Sequence, residues 1–165
     1  MSALVVYESC FGNTGIVAEA TAEGLREAGV DDVRLVSAHE APDTIPDGVT
    51  LLVVGAPTHS WGLPQPGSRG QAAQQGAPAP AASGVKEWID RVAPSGVVTV
   101  TFDTSVRSRF AWSTASKAAA KALKRHGFER TTRGESFYVA DTRGPLQDGE
   151  AGRARQWGTR LAAMA

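Results

Sequence analysis

The residues best able to bind a ligand lie in one short stretch, Ser9-Cys10-Phe11-Gly12-Asn13-Thr14-Gly15. Ser9 and Thr14 offer hydroxyls, and Asn13 offers an amide. Gly12 and Gly15 permit close backbone approach and left-handed dihedrals. No Lys or Arg occurs between Met1 and Leu25, so an anion bound here is held by neutral donors alone. Each hydrogen bond to a charged group is worth about 1.5–3 kcal/mol, and four or five of them can hold a dianion without a counter-charge. The simpler reading is a strand-to-helix turn capped by Thr14. Cys10, within the same stretch, is read first as a spectator, and otherwise as a thiol whose pKa a helix N-terminus can lower.

The flanking residues say how this stretch is presented. Leu4 to Tyr7 is an aliphatic and aromatic run of strand length. From Thr14 the spacing turns helical, with Ile16, Val17, Ala20, Leu25 and Ala28 on one face and Gly29 at the expected C-cap. The first amides of such a helix lack internal partners and point back at the loop, which makes an anion site.

Two later stretches have the same character. Thr50–Val54 is a continuous apolar run, as expected of a strand buried on both faces. It leads into Pro57-Thr58-His59-Ser60-Trp61-Gly62, where Trp61 has little around it in sequence to bury it. An aromatic side chain in such a loop is either a stacking platform or a cover for the core edge. His59 beside it can change charge near neutral pH, or simply meet solvent. The run Val97–Phe102, with Thr101 and Phe102 at its end, opens into Asp103-Thr104-Ser105. Asp103 and Thr104 read either as ligand contacts or as a turn and helix cap.

The rest of the chain alternates. Asp32–Val36 reads as a second strand, and Pro42 and Pro46 exclude a long helix after it. Val85–Val92, Ser116–His126 and Asp148–Met164 read as amphipathic helices, with Trp88 and Trp157 facing inward. Glu135–Ala140 reads as a fifth strand. The segment 64–84, rich in Pro, Gly, Ala and Gln with Arg69 and no large apolar residue, reads as an extended flexible loop within a single domain covering 1–165. It has too little apolar surface to offset its ordering entropy. Alternating strands and helices imply an α/β fold, a parallel sheet covered on both faces. The three polar stretches then converge at the carboxyl ends of the first, third and fourth strands.

Composition narrows the function classes. Seventeen basic residues balance seventeen acidic ones, so nothing points to nucleic acid or an anionic membrane. No stretch reads as a signal peptide or a membrane span, and one cysteine fits a reducing compartment. The expected location is cytoplasmic.

Tyr7, Ser9, Gly12 and Thr14 resemble the FMN-phosphate signature of the flavodoxin family, with Phe11 where that signature carries a hydroxyl. Ser60-Trp61-Gly62 resembles the family's loop against the flavin ring. Asp103-Thr104-Ser105-Val106 resembles its second ring loop, with Val106 in place of a shielding Tyr. The resemblance implies a three-layer flavodoxin-like sandwich with a five-stranded parallel sheet in the order 2-1-3-4-5. It implies FMN as cofactor, bound through Ser9–Thr14, Pro57–Gly62 and Thr101–Thr104, and a Gly62–Leu63 peptide that turns over on reduction. The implied role is electron transfer between a flavin or NAD(P)H-dependent reductase and an acceptor protein. The alternative is an FMN-dependent oxidoreductase of quinone or protoporphyrinogen type with its own substrate. Rival sites fail at named residues. A C-x5-R phosphatase loop starting at Cys10 would need Arg where Ile16 stands, and a phosphorylatable Asp is absent from Gly55-Ala56-Pro57.

Overall fold

The computed structural model describes residues 1–78, 83–109 and 112–165. In chain order the elements are β1 (Ser2–Tyr7), α1 (Asn13–Glu27), β2 (Asp32–Ser37), β3 (Val49–Pro57), α2 (Pro66–Gln74), α3 (Val85–Arg91), β4 (Val98–Val106), α4 (Ala115–Arg125), β5 (Thr131–Val139) and α5 (Glu150–Leu161). All strand pairs are parallel, and the sheet runs β2-β1-β3-β4-β5. This is the expected flavodoxin-like order. Tyr7 lies beside Gly55, and Pro57 beside Thr104, so β1, β3 and β4 end at one edge. Among the described residues no helix is long and apolar enough to cross a membrane.

The period of two in each strand sends alternate side chains to opposite faces. Val5, Leu51, Val53 and Phe102 pack under α1 and α5, with Phe137, Trp157 and Leu161. Leu4, Val6, Leu52 and Val54 pack under α3 and α4, with Trp88, Ile89, Leu123 and Phe128. Both faces are buried, which is why β1 and β3 are apolar without alternation. Helices α1 and α5 approach closely because a Cβ at Gly24 would lie 2.0 Å from the Arg155 carbonyl oxygen.

Three expectations change. Strand β4 continues past Phe102 through Asp103 and Thr104, both buried. These polar residues stay in the strand because each finds a partner. Asp103 Oδ2 accepts the Ser116 N–H at the start of α4 (3.0 Å), and Thr104 Oγ1 lies 2.7 Å from Thr14 Oγ1. Strand β5 likewise starts at Thr131 rather than Glu135.

The largest change is α2, a helix where an extended loop is expected; residues 79–82 of that segment lie outside the described residues. Pro66 takes its first position, and the Gln65 N–H donates to Ser68 Oγ at 3.0 Å. Its anchor is Arg69, 3% exposed. The guanidinium donates to Glu8 Oε1 (2.5 Å) and to Glu87 Oε2 (2.7 Å) and Oε1 (2.9 Å), and also to the Pro64 carbonyl (3.2 Å). Glu8 Oε2 in turn accepts the Val85 N–H (3.0 Å), and Glu87 Oε2 the Gly84 N–H (2.9 Å). An ion network thus orders a segment that has almost no apolar surface to bury.

This network makes stability depend on acid. Burial alone would raise the Glu87 pKa, but hydrogen bonds from Arg69 and from the Gly84 N–H outweigh it and hold the carboxyl down from 4.5 to about 2. A depressed carboxylate contributes stability that is complete above its unfolded pKa and lost as pH falls through the folded one. The urea midpoint is therefore expected to fall between pH 4.5 and 2, and Glu87→Gln to flatten that part of the profile. An unchanged slope in Glu87→Gln would separate Glu87 from the acid response.

Candidate functional site

The site is built where β1 ends. The Glu8 N–H still donates to the Gly55 carbonyl (2.9 Å), and the chain then leaves the sheet. Ser9 Oγ accepts the N–H groups of Gly12 (3.1 Å) and Gly15 (3.3 Å), which curls the loop around that oxygen. Gly12 has φ 92 and precedes the first residue of α1. A side chain there would be strained, so glycine at this position makes the sharp entry into the helix. The N–H groups of Phe11, Asn13 and Thr14 have no protein acceptor among the described residues. They are the orphan donors of the α1 N-terminus.

A cleft of about 90 Å³ lies against these donors. Cys10, Phe11, Asn13 and Thr14 form one wall, Pro57, Thr58 and His59 a second, and Thr104, Ser105 and Val106 a third. It adjoins a wider pocket of about 320 Å³ that shares Thr58, Ser105 and Val106 and adds Ser60 and Trp61. No Lys, Arg, Asp or Glu side chain lines either space among the described residues. The α1 N-terminus supplies a fixed positive potential equivalent to roughly half a charge.

The second wall is pinned at both ends. The Thr58 N–H donates to the Thr104 carbonyl (2.8 Å), and Thr58 Oγ1 accepts the Ala115 N–H of α4 (3.0 Å). His59 and Gly62 exchange both backbone hydrogen bonds at 2.9 Å, which closes a two-residue turn. Its central residues, Ser60 (φ 46) and Trp61 (φ 68), are both left-handed. Such a conformation costs about 1–3 kcal/mol for each non-glycine residue. The turn thrusts Trp61 outward, 52% exposed at the pocket mouth. Gly62, which the resemblance marks as the freely turning residue, has no positive φ. His59 Nδ1 lies 2.9 Å from Ser68 Oγ of α2. Burial foremost, with Arg69 adding and Glu8 opposing, pushes the imidazole pKa below its ordinary 6.5.

Of the expected site residues, Cys10, Phe11, Asn13, Thr14, Pro57, Thr58, His59, Ser60, Trp61 and Thr104 line the two spaces. Ser9 and Gly12 shape the anion loop from behind. Thr101, Phe102 and Asp103 line neither. Thr101 Oγ1 donates to the Ser116 carbonyl (2.8 Å) beneath α4, and Phe102 sits edge-on to Phe137 and Trp157 in the core. Asp103 holds α4 through Oδ2, and its buried Oδ1 has no partner among the described residues.

Some contributors had no signal in the sequence. The end of β5 and the segment after it close the cleft with Val139 and Thr142. Its Arg143 carbonyl accepts Asn13 Nδ2 (3.2 Å), a contact across 130 residues. Gly144 permits it, since a Cβ there would lie 2.6 Å from Asn13 Nδ2.

The helix N-terminus does not lower the Cys10 pKa. Burial, reinforced by the Glu8 carboxylate, pushes the thiol up to about 11 against the lesser pull of Arg69. A helix N-terminus helps a thiolate only where water or a cation also solvates it, and Cys10 is covered by Ala72 and Ala77. Iodoacetamide at pH 8 is expected to label Cys10 far more slowly in the folded chain than in urea, read by mass spectrometry. Equal rates would mean an open, activated thiol.

No protein-family model and no curated protein sequence matches the chain. Solved structures do. A flavodoxin from the domain Archaea is 20% identical with a TM-score of 0.66, covering 99% of this chain and 97% of that one. Flavodoxin 1 from Bacillus cereus is 14% identical with a TM-score of 0.61, over 100% and 99%. The flavodiiron protein from Giardia intestinalis is 15% identical with a TM-score of 0.64, and this chain spans only 36% of it.

Proposed function

The chain has the flavodoxin-like fold, and on that frame we propose that it binds FMN and transfers electrons. One observation carries the reading: a glycine-shaped loop at the α1 N-terminus, curled around the Ser9 hydroxyl, presents the free N–H groups of Phe11, Asn13 and Thr14 to a cleft without charged side chains. That donor set suits a phosphate dianion, which accepts several hydrogen bonds and gains from the helix dipole. Ser9 Oγ accepts two of the loop amides and keeps its own proton to donate. Trp61 and Val106 border the wider pocket, where a planar ring has an aromatic face on one side and an aliphatic edge on the other.

When bound, the flavin supplies one- and two-electron chemistry. The protein's own part is to hold the phosphate, exclude water from the ring, and keep charge out of the cleft. Burial favours the neutral form of His59. The partners are a flavin or NAD(P)H-dependent reductase and an acceptor protein, and a single buried thiol suits the cytoplasm.

A second reading rests on Val106, 47% exposed where the resemblance places a covering Tyr. A ring face left accessible there admits a small substrate, which makes the chain an oxidoreductase of quinone or protoporphyrinogen type. Steady-state oxidation of NAD(P)H with an added quinone separates the two: turnover by the purified chain alone supports the enzyme, and dependence on a second protein supports the carrier.

The binding claim is tested by fluorescence titration with FMN and riboflavin. Wild type is expected to prefer FMN. Ser9→Ala should lower FMN affinity by about 10-fold or more, because the loop amides of Gly12 and Gly15 lose the oxygen that holds them, and riboflavin affinity by much less. Equal losses for both ligands would remove Ser9 from the phosphate site.

A further inference from the structure

The Arg69 network lies directly behind both ligand loops. Glu8, one of its two carboxylates, immediately precedes Ser9, whose oxygen organises the anion loop. Ser68, the neighbour of Arg69 on α2, meets His59 at the base of the Trp61 turn. Ala72 and Ala77 cover Cys10, with Phe11 packed beside them. One short helix therefore touches the anion loop through Arg69 and the ring loop through Ser68. A groove of about 230 Å³ runs between them, with Phe11 and His59 on one side and Ser68 and Gln71 on the other.

Stability alone is a weak reason for this design. Three charges must be taken out of water, and apolar replacements of buried ion networks are often neutral or stabilising. What the guanidinium does that an apolar side chain cannot is fix direction. Its planar fork spans two carboxylates and a carbonyl at once, which an ammonium cannot reproduce.

We propose that Arg69 is a positioning residue for the flavin site: through α2 and Ser68 it holds His59 and the Trp61 turn in register with the anion loop. The proposal rests on the FMN reading given above. It also assigns a purpose to the strained turn, whose left-handed Ser60 and Trp61 follow two residues that are tied in place, His59 to Ser68 and Thr58 to Ala115.

The test uses the full chain with Arg69→Lys, Arg69→Met and Ser68→Ala. His59 is titrated by NMR before flavin is added, and FMN and riboflavin affinities are then measured. The charged groups bearing on His59 are Glu8 and Arg69. Arg69→Lys keeps the charge and loses the fork, so a changed His59 midpoint there reports position rather than charge. The expected result is a His59 midpoint moved up toward 6.5 in Arg69→Lys and in Ser68→Ala. Both flavins should lose affinity by about 5–10-fold, the value of one neutral hydrogen bond. Ser68→Ala leaves the ion network whole and keeps the test open if Arg69→Met fails to fold. Wild-type His59 titration and affinities in both Arg69→Lys and Ser68→Ala, with only the melting temperature lowered, would reduce Arg69 to a structural role and overturn the proposal. Failure of the wild type to bind any flavin would end the FMN reading itself, a result distinct from variants that bind as wild type does.

Discussion

A parallel sheet sends all its strands to the same edge, and at that edge backbone donors lose their partners. Everything at the site follows from how this chain handles them. At the end of β1, three amides of the α1 entry are left without protein acceptors while Ser9 gathers two others. Neighbouring loops are tied instead of the amides being filled: Thr14 to Thr104, Thr58 to the start of α4, and Asn13 to the Arg143 carbonyl. These ties are neutral. The walls of the two spaces are thus tied and polar, with no charged side chain among the described residues that line them; the proposed ligand, an anion with many acceptor oxygens, suits such walls.

The charges that the site avoids lie one layer back. Glu8, Arg69 and Glu87 are joined behind the anion loop, where one guanidinium is shared by two carboxyl groups and their geometry sets the position of α2. Asp103 is similarly withdrawn under α4. This division, neutral groups in front and paired charges behind, sets the environment that a bound ring would meet. It also explains why burial and the Glu8 carboxylate raise the Cys10 thiol pKa at a position where a helix dipole alone would lower it.

Much of this was legible in the sequence, and the remainder failed for identifiable reasons. The β1–α1 unit and the inward Trp88 and Trp157 follow from local periodicity, which depends only on neighbours, whereas the strand order comes from the resemblance to the flavodoxin family. The convergence of the three loops follows from parallel topology. Helix α2 was hidden because its order comes from Arg69 and Glu8, 61 residues apart, and composition counts apolar surface rather than ion networks. Asp103 and Thr104 read as loop because they are polar, yet partners from α4 and α1 let them stay in the strand. Val139, Thr142 and Arg143 gave no signal, since only the fold brings them to Asn13.

The claim at the centre is that neutral donors at the α1 N-terminus grip a phosphate dianion. Phosphorus NMR of FMN bound to the chain measures this directly. A free phosphate monoester takes up its second proton near pH ~6, whereas several N–H donors stabilise the dianion and lower that pKa. The account predicts a bound resonance fixed at the dianion position from pH 8 to below ~6. A resonance that titrates as in free FMN would mean that the phosphate lies in solvent, and that the loop from Ser9 to Thr14 does not hold it.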